Sequence, residues 1–210
     1  MRQDNAEGSS SSLNELTPTQ QSVLVGTLLG DACLAKHGRF HRLHVKHQAS
    51  QRILVDLKYS VFRSFISMPI HGFDQKLNGK LYPCFQFATR THPVLSDWYF
   101  RFYQSGRKVV PMDVADRLTP LALAVWFMDD GAADFAGVTF QTHNFSSEEV
   151  RRLDGVLRER FDLVTSIRSN RGRDIIYVKA SSIDRLEEVI RPHLLRGFEY
   201  KLKPRRARTP

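Results

Sequence analysis

Residues 16–31 read LTPTQQSVLVGTLLGD, and residues 118–131 read LTPLALAVWFMDDG. Each stretch opens on Leu-Thr-Pro and runs through apolar residues to an aspartate, Asp31 in the first and Asp130 in the second. Threonine caps a helix because its hydroxyl accepts from a first-turn N–H, and proline at the first helical position sacrifices no hydrogen bond. Each stretch therefore predicts a helix that begins at Thr-Pro and ends at its acid. The first is three residues longer before its acid, close to one turn, so the two carboxylates keep the same helical face.

Outward from these helices the chain repeats itself. After the first, the patterns predict a hairpin (33–48), a helix (50–66), a second hairpin (73–90) and a helix (92–105). After the second come a short strand pair (132–144), a helix (146–161), a hairpin (163–180) and a helix (181–195). Ser146 and Glu149 have capping-box spacing, and Asn170-Arg171-Gly172-Arg173 marks a hairpin turn. Each half thus reads αββαββα, a duplication whose second copy starts 102 residues after the first, too long a period for a solenoid. The expected fold is α+β: two pseudo-symmetric domains packed through the two quoted helices, with antiparallel sheets forming a saddle. The boundaries are a disordered leader (1–15), an N-terminal domain (16–105), a linker (106–117), a C-terminal domain (118–202) and a basic tail (203–210). Gly26 and Gly30 are four apart and share a helix face, and Ala122 and Ala124 lighten the second helix, so close packing of the two is expected.

Composition narrows the function. The 210 residues include 31 Lys+Arg against 22 Asp+Glu, a net charge of +9, and the last ten carry Lys201, Lys203, Arg205, Arg206 and Arg208 with no acid. A basic body with a basic tail points to a polyanion, most often nucleic acid. A hydrophobic content of 41% excludes a mostly disordered chain. No apolar run is long enough for a membrane helix and the N-terminus lacks a secretion signal, so no membrane partner is expected. Cys33 and Cys84 make no disulfide framework, which fits a reduced, intracellular setting.

The strands carry a second signal. In 40–48, Leu43 and Val45 point one way and Arg42, His44, Lys46 and Gln48 the other. By the same alternation Gln86 and Arg90 leave the phenylalanine face of 85–90, and Thr139, Gln141 and His143 form the polar face of 138–143. Arg168, Asn170, Tyr177 and Lys179 do so in the last hairpin. Such side chains read base edges and phosphates when a β-ribbon lies in a major groove.

Asp31 and Asp130 break a local rule. A helix C-terminus is negative, so stability would favour Lys or Arg there. Two acids in matching repeat positions, beside last-turn carbonyls, form a hard oxygen site suited to Mg²⁺. Packed helices would bring the carboxylates together, and a cation between them would relieve their repulsion. Such a centre within a basic saddle fits phosphodiester hydrolysis. The histidines His37, His41, His44 and His47 lack a matching Cys or carboxylate set in sequence, so zinc is not expected.

LVGTLLGDA (24–32) and LAVWFMDDG (123–131) resemble the two motifs of a single-chain LAGLIDADG homing endonuclease, and LTPLALAVWFMDDG followed by QTHNFSSEEV resembles the intron-encoded branch. The resemblance covers about residues 16–202; Leu29 and Ala32 depart from the name-giving motif without touching its metal position. It implies that Asp31 and Asp130 bind the catalytic metals, joined by the carbonyls of Gly30 and Asp129, while the Asp129 carboxylate has no catalytic part. It implies further that Lys108 and Lys201 are central basic residues, that Mg²⁺ is the cofactor with Mn²⁺ substituting, and that the partner is double-stranded DNA with a long target. A monomer, cuts with short 3′ extensions and a DNA-containing compartment (organelle or bacterial cytoplasm) belong to the same expectation. The alternatives are an intron-splicing maturase that binds RNA, and a DNA-binding regulator that does not cleave.

Overall fold

The structure is a computed structural model that describes residues 15–202. The expected tail, and the leader apart from Glu15, lie outside the described residues. The N-terminal half contains α1 (Pro18–Leu29), β1 (Cys33–His37), β2 (Phe40–Gln48), α2 (Arg52–Val61), β3 (His71–Leu77), β4 (Lys80–Ala88) and α3 (Pro93–Phe102). A connecting stretch follows with β5 (Tyr103–Gln104), β6 (Arg107–Lys108) and α4 (Val114–Arg117). The C-terminal half contains α5 (Pro120–Asp130), β7 (Gly131–Asp134), β8 (Gly137–Phe140), α6 (Ser147–Phe161), β9 (Thr165–Asn170), β10 (Arg173–Val178) and α7 (Ile183–Ile190). The sheets run β1-β2-β4-β3 and β7-β8-β10-β9, the same antiparallel order twice, so the duplication read from the sequence is a duplication of topology.

The helix starts obey their caps. Thr17 accepts from Gln20 N–H and Thr119 from Ala122 N–H, each with proline inside the first turn, and Ser146 and Glu149 close a reciprocal capping box on α6. The helix ends differ from expectation. Asp130 is the last residue of α5, but α1 stops at Leu29, with Gly30 as its C-cap, so Asp31 lies beyond the helix. Gly30 takes φ −95° and ψ −137°, neither helical nor extended, which turns the chain out of the helix before the acid.

α1 packs along α5, and both are buried almost throughout, so neither shows the one-sided apolar stripe of a surface helix. Gly26 makes the close approach possible: a methyl there would run into the Ala122 carbonyl oxygen and lie 2.8 Å from Val125 Cβ. Thr119 Oγ1 donates to Ser22 Oγ at 2.9 Å and ties the helix starts together. One apolar core runs through both halves across this seam. The expected linker is structured: β6 pairs with β5, and the Glu149 carboxylate accepts from both Arg107 guanidinium nitrogens and from Val110 N–H, pinning the connection to α6.

Candidate active site

The seam ends where the two acids stand. Asp31 is half exposed, its side chain 48% accessible, at the mouth of a cleft of about 350 Å³ that Lys46, Gln48, Gln51 and Gln75 also line. Asp130 follows from the other lobe, more deeply set. Burial and the charges of Asp31 and Asp129 push its carboxyl up to about 8, although Lys108 and Lys201 pull the other way. Asp31 is also raised, by burial first and then by the charge of Asp129. Two acids that resist ionisation side by side are a site prepared for a cation.

A lysine attends each acid. Lys108, on β6, donates from Nζ to the carbonyls of Gly30 at 3.0 Å and Ala32 at 2.7 Å, on either side of Asp31. Lys201, in a short turn anchored by buried Phe198 and Leu202, donates to Met128 O at 2.5 Å and Asp129 O at 3.0 Å, just ahead of Asp130. Each ammonium meets the negative carbonyl end of a motif helix. Burial holds both lysines below the ordinary lysine range while the nearby aspartates oppose that shift. The Gly30 and Asp129 carbonyls are therefore already hydrogen-bonded to ammonium groups, and only a further lone pair of each faces elsewhere.

Asp129 does something the sequence did not disclose. Its carboxylate is fully buried and accepts from Lys58 Nζ at 2.7 and 2.8 Å, from Thr27 Oγ1 at 3.4 Å and from Asp31 N–H at 3.4 Å. Lys58, wholly buried on α2, also reaches His47 Nε2 at 3.0 Å. His47 Nδ1 stands 3.6 Å from Asp31 Oδ2. Burial and the neighbouring Lys58 hold His47 at about 3, so its ring is neutral. Asp31, His47 and Asp129 place ligand atoms within 4.8 Å of one another, which corrects the expectation that no histidine has a carboxylate set. The cation at this trio is the Lys58 ammonium. Both partners were legible in principle: His47 continues the inward alternation of Leu43 and Val45, and Lys58 shares the buried face of Leu54 and Val55.

The strand residues divide. On the open face of the first sheet, Arg42, His44 and Gln86 line a cleft of about 620 Å³, and the buried Arg42 Nε has no hydrogen-bond partner among the described residues. Burial lowers His44, opposed by a hydrogen bond with Gln86. Lys46 and Gln48 continue this face toward Asp31. Arg90 departs from expectation: β4 ends at Ala88, and the Arg90 guanidinium donates to Ser64 O at 2.8 Å although it still borders the cleft. In the second sheet β8 ends at Phe140, so Gln141 and His143 are not strand residues. There the chain turns toward the α6 cap, with Gln141 N–H on Asp130 O and Thr142 Oγ1 on Asp174 O. The His143 Nε2 is buried without a partner among the described residues. Thr139 and Tyr177 share the expected face but are buried, only 3% and 7% exposed. Arg168 lies over the Tyr177 ring, 3.2 Å from its centroid, and pairs with Asp134 at 3.4 Å. Asn170 ends β9, and Lys179 is exposed just past β10.

Comparison with known proteins meets this geometry directly. The model of the LAGLIDADG DNA endonuclease family matches residues 21–186. The chain belongs to that family. It is 28% identical over 192 residues to the cytochrome b mRNA maturase bI2 of Debaryomyces hansenii, covering 86% of this chain and 72% of that protein. It is 25% identical over 196 residues to a probable intron-encoded endonuclease of Wickerhamomyces canadensis, covering 89% and 85% respectively. Among solved structures, the homing endonuclease I-WcaI bound to its DNA recognition sequence superposes with a TM-score of 0.84 at 25% identity, over 90% of this chain and 88% of that one. The α+β architecture with two repeated sheets is thus that of a LAGLIDADG homing endonuclease. Among the described residues, no helix is long and apolar enough to cross a membrane.

Proposed function

We propose that this LAGLIDADG protein is a site-specific endonuclease that hydrolyses both strands of a long double-stranded DNA target with Mg²⁺ or Mn²⁺. The observation that carries the reading is the matched arrangement at the seam: Asp31 and Asp130, each beside a lysine bound to main-chain carbonyls, at the junction of two sheets whose open faces carry basic and amide side chains. The donor set fits a divalent cation, since two carboxylates with raised pKa and two main-chain carbonyls are hard oxygen donors. Asp31 and Asp130 would hold it, with the Gly30 and Asp129 carbonyls as further donors. Bound there, the cation activates water and offsets charge on the leaving oxygen.

The chain's own groups do the rest. Lys108 and Lys201 place ammonium groups beside the acids, where they offset the charge that gathers on a phosphate under attack. Arg42, Gln86, Lys46 and Gln48 hold and read one half of the target, and Arg168, Asn170 and Lys179 approach the other. The two lobes of one chain supply both half-sites, so the protein acts as a monomer; the family resemblance implies cuts that leave short 3′ extensions. Incubating the full chain with a randomised duplex library, with Mg²⁺ or with EDTA, tests this. Cutting at one enriched long site in Mg²⁺ alone is the expected outcome, and binding without cutting in any divalent ion would overturn it. The maturase relative in Debaryomyces hansenii favours a second reading, splicing assistance by RNA binding. Retention of an intron-containing transcript, with no enrichment of duplex DNA, would select it.

A further inference from the structure

Resting on the nuclease reading, we propose that Lys58 and His47 are positioning residues: a one-way chain from Asp129 through both of them orients Asp31 and makes the two strand cuts inequivalent. Lys58 Nζ donates to both oxygens of Asp129 and contacts His47 Nε2 at 3.0 Å. An ammonium can only donate, so Nε2 accepts and the ring proton sits on Nδ1. Nδ1 stands 3.6 Å from Asp31 Oδ2, a polar contact just outside hydrogen-bond distance, and the ring also hydrogen-bonds the Gln51 side chain. The Asp129 carboxylate meanwhile accepts from the Asp31 backbone N–H at 3.4 Å. Asp31 is thus held at its backbone by Asp129 and faced at its carboxylate by the His47 ring.

Among the described residues Asp130 has no such chain, and the internal repeat shows why. Strand register sets Cys33 against His44 after Asp31, and Ala132 against Thr139 after Asp130. Three residues on, His47 corresponds to Thr142, whose hydroxyl turns away to Asp174 O at 2.7 Å. The buried positions Leu54, Val55 and Lys58 of α2 correspond to Glu149, Val150 and Leu153 of α6, so the twin of Lys58 is a leucine. The twin of Asp129 is Gly30. All three members are present in one direction and absent in the other. A buried lysine–aspartate pair is generally no more stabilising than an apolar pair of its size, and Leu153 is that apolar solution in the same molecule. The charged version therefore does something besides holding the lobes together.

The test uses the full chain and its cleaved duplex, with the two strands carrying different end labels and each nicking rate measured separately at saturating enzyme in Mg²⁺. Lys58→Met with Asp129→Ala removes both charges at once, so neither is left unpaired. His47→Leu removes the ring nitrogen that faces Asp31, and His47→Asn restores an amide N–H close to the place of Nδ1. The double variant and His47→Leu are expected to change the ratio of the two rates by at least about fivefold, the scale of one or two oriented hydrogen bonds. His47→Asn is expected to return the ratio to within about twofold of the parent. Equal slowing of both strands in every variant, as a packing defect would give, overturns the proposal, and so does an unchanged ratio. If the parent protein cuts neither strand, the nuclease reading fails first and this inference falls with it, a result distinct from an unmoved ratio.

Discussion

Gly30 and Asp129 hold the same place in the two motifs and meet across the seam: a methyl on Gly30 would lie 2.5 Å from both Cβ and Oδ2 of Asp129. The buried carboxylate fills the space that any side chain at position 30 would need. Gly30→Ala must therefore push Asp129 off Lys58 or spread the helices. Overpacking of this kind costs about 1–3 kcal/mol, and disturbing a buried ion pair adds to it. Gly155 gives the contrast, since a methyl there meets nothing closer than Glu159 Oε1 at 4.0 Å. Within α6, Gly155→Ala should raise stability by up to about 1 kcal/mol. Urea denaturation of the two variants should shift in opposite directions.

That contact explains what the sequence disclosed and what it withheld. Thr17-Pro18, Thr119-Pro120 and the Ser146–Glu149 box are local signals, written within one turn of chain, and they set the helix starts where expected. The repeated succession of helices and hairpins followed from strand patterns of ordinary length. The Asp129–Lys58–His47 chain is different, because it joins residues 71 apart in sequence across two lobes. Composition treats Lys58 as a surface charge, and only its spacing from Leu54 and Val55 betrays its burial. The short β8 misled in another way: alternation from Val138 to His143 continues in the sequence, but the strand ends where Thr142 takes up Asp174 O.

Asp31→Asn and Asp130→Asn are each expected to abolish cleavage. Both keep the side chain's size and remove the anionic oxygen that a divalent ion requires. Target affinity should stay within roughly tenfold of the parent, about 1.4 kcal/mol, because the sheet faces carry the binding. Cleavage assays and binding titrations in Ca²⁺ on one labelled duplex separate the two effects. Cutting that persists in either variant would remove that residue from the metal site.

The raised carboxyl of Asp130 has a pH signature in the metal-free protein. Its folded value of about 8 lies above the ordinary aspartate value of 3.8. Between these limits the folded state binds the proton more tightly than the unfolded one, so this group's contribution to stability is present at low pH and lost as pH rises toward 8. Asp130→Asn has no such titration. In EDTA the two proteins should melt together near pH 4, and the variant should become the more stable by several degrees as pH approaches 8. Mg²⁺ should reverse the difference at the higher pH by stabilising only the protein with an ionised Asp130. Melting curves across pH, with EDTA and with Mg²⁺, check both signs.

Arg42 and Arg168 stand on corresponding open faces but are not equally free. The buried Nε of Arg42 has no hydrogen-bond partner among the described residues, in a cleft with His44 and Gln86. Arg168 is committed to Asp134 and to the Tyr177 ring. An unpaired donor in a partly enclosed cleft gains more from a base or phosphate acceptor than one that must first give up an internal partner. Arg42→Ala should therefore cost about 1–3 kcal/mol of target affinity, and more against the preferred sequence than against variants at one position. Arg168→Ala should cost less and act alike on all sequences. Binding of the parent should also fall steeply with salt, as neutralisation of several phosphates requires. Titrations at two salt concentrations on a panel of single-base target variants measure all three quantities. An Arg42 effect uniform across the panel would assign that side chain to phosphate contact, not base reading.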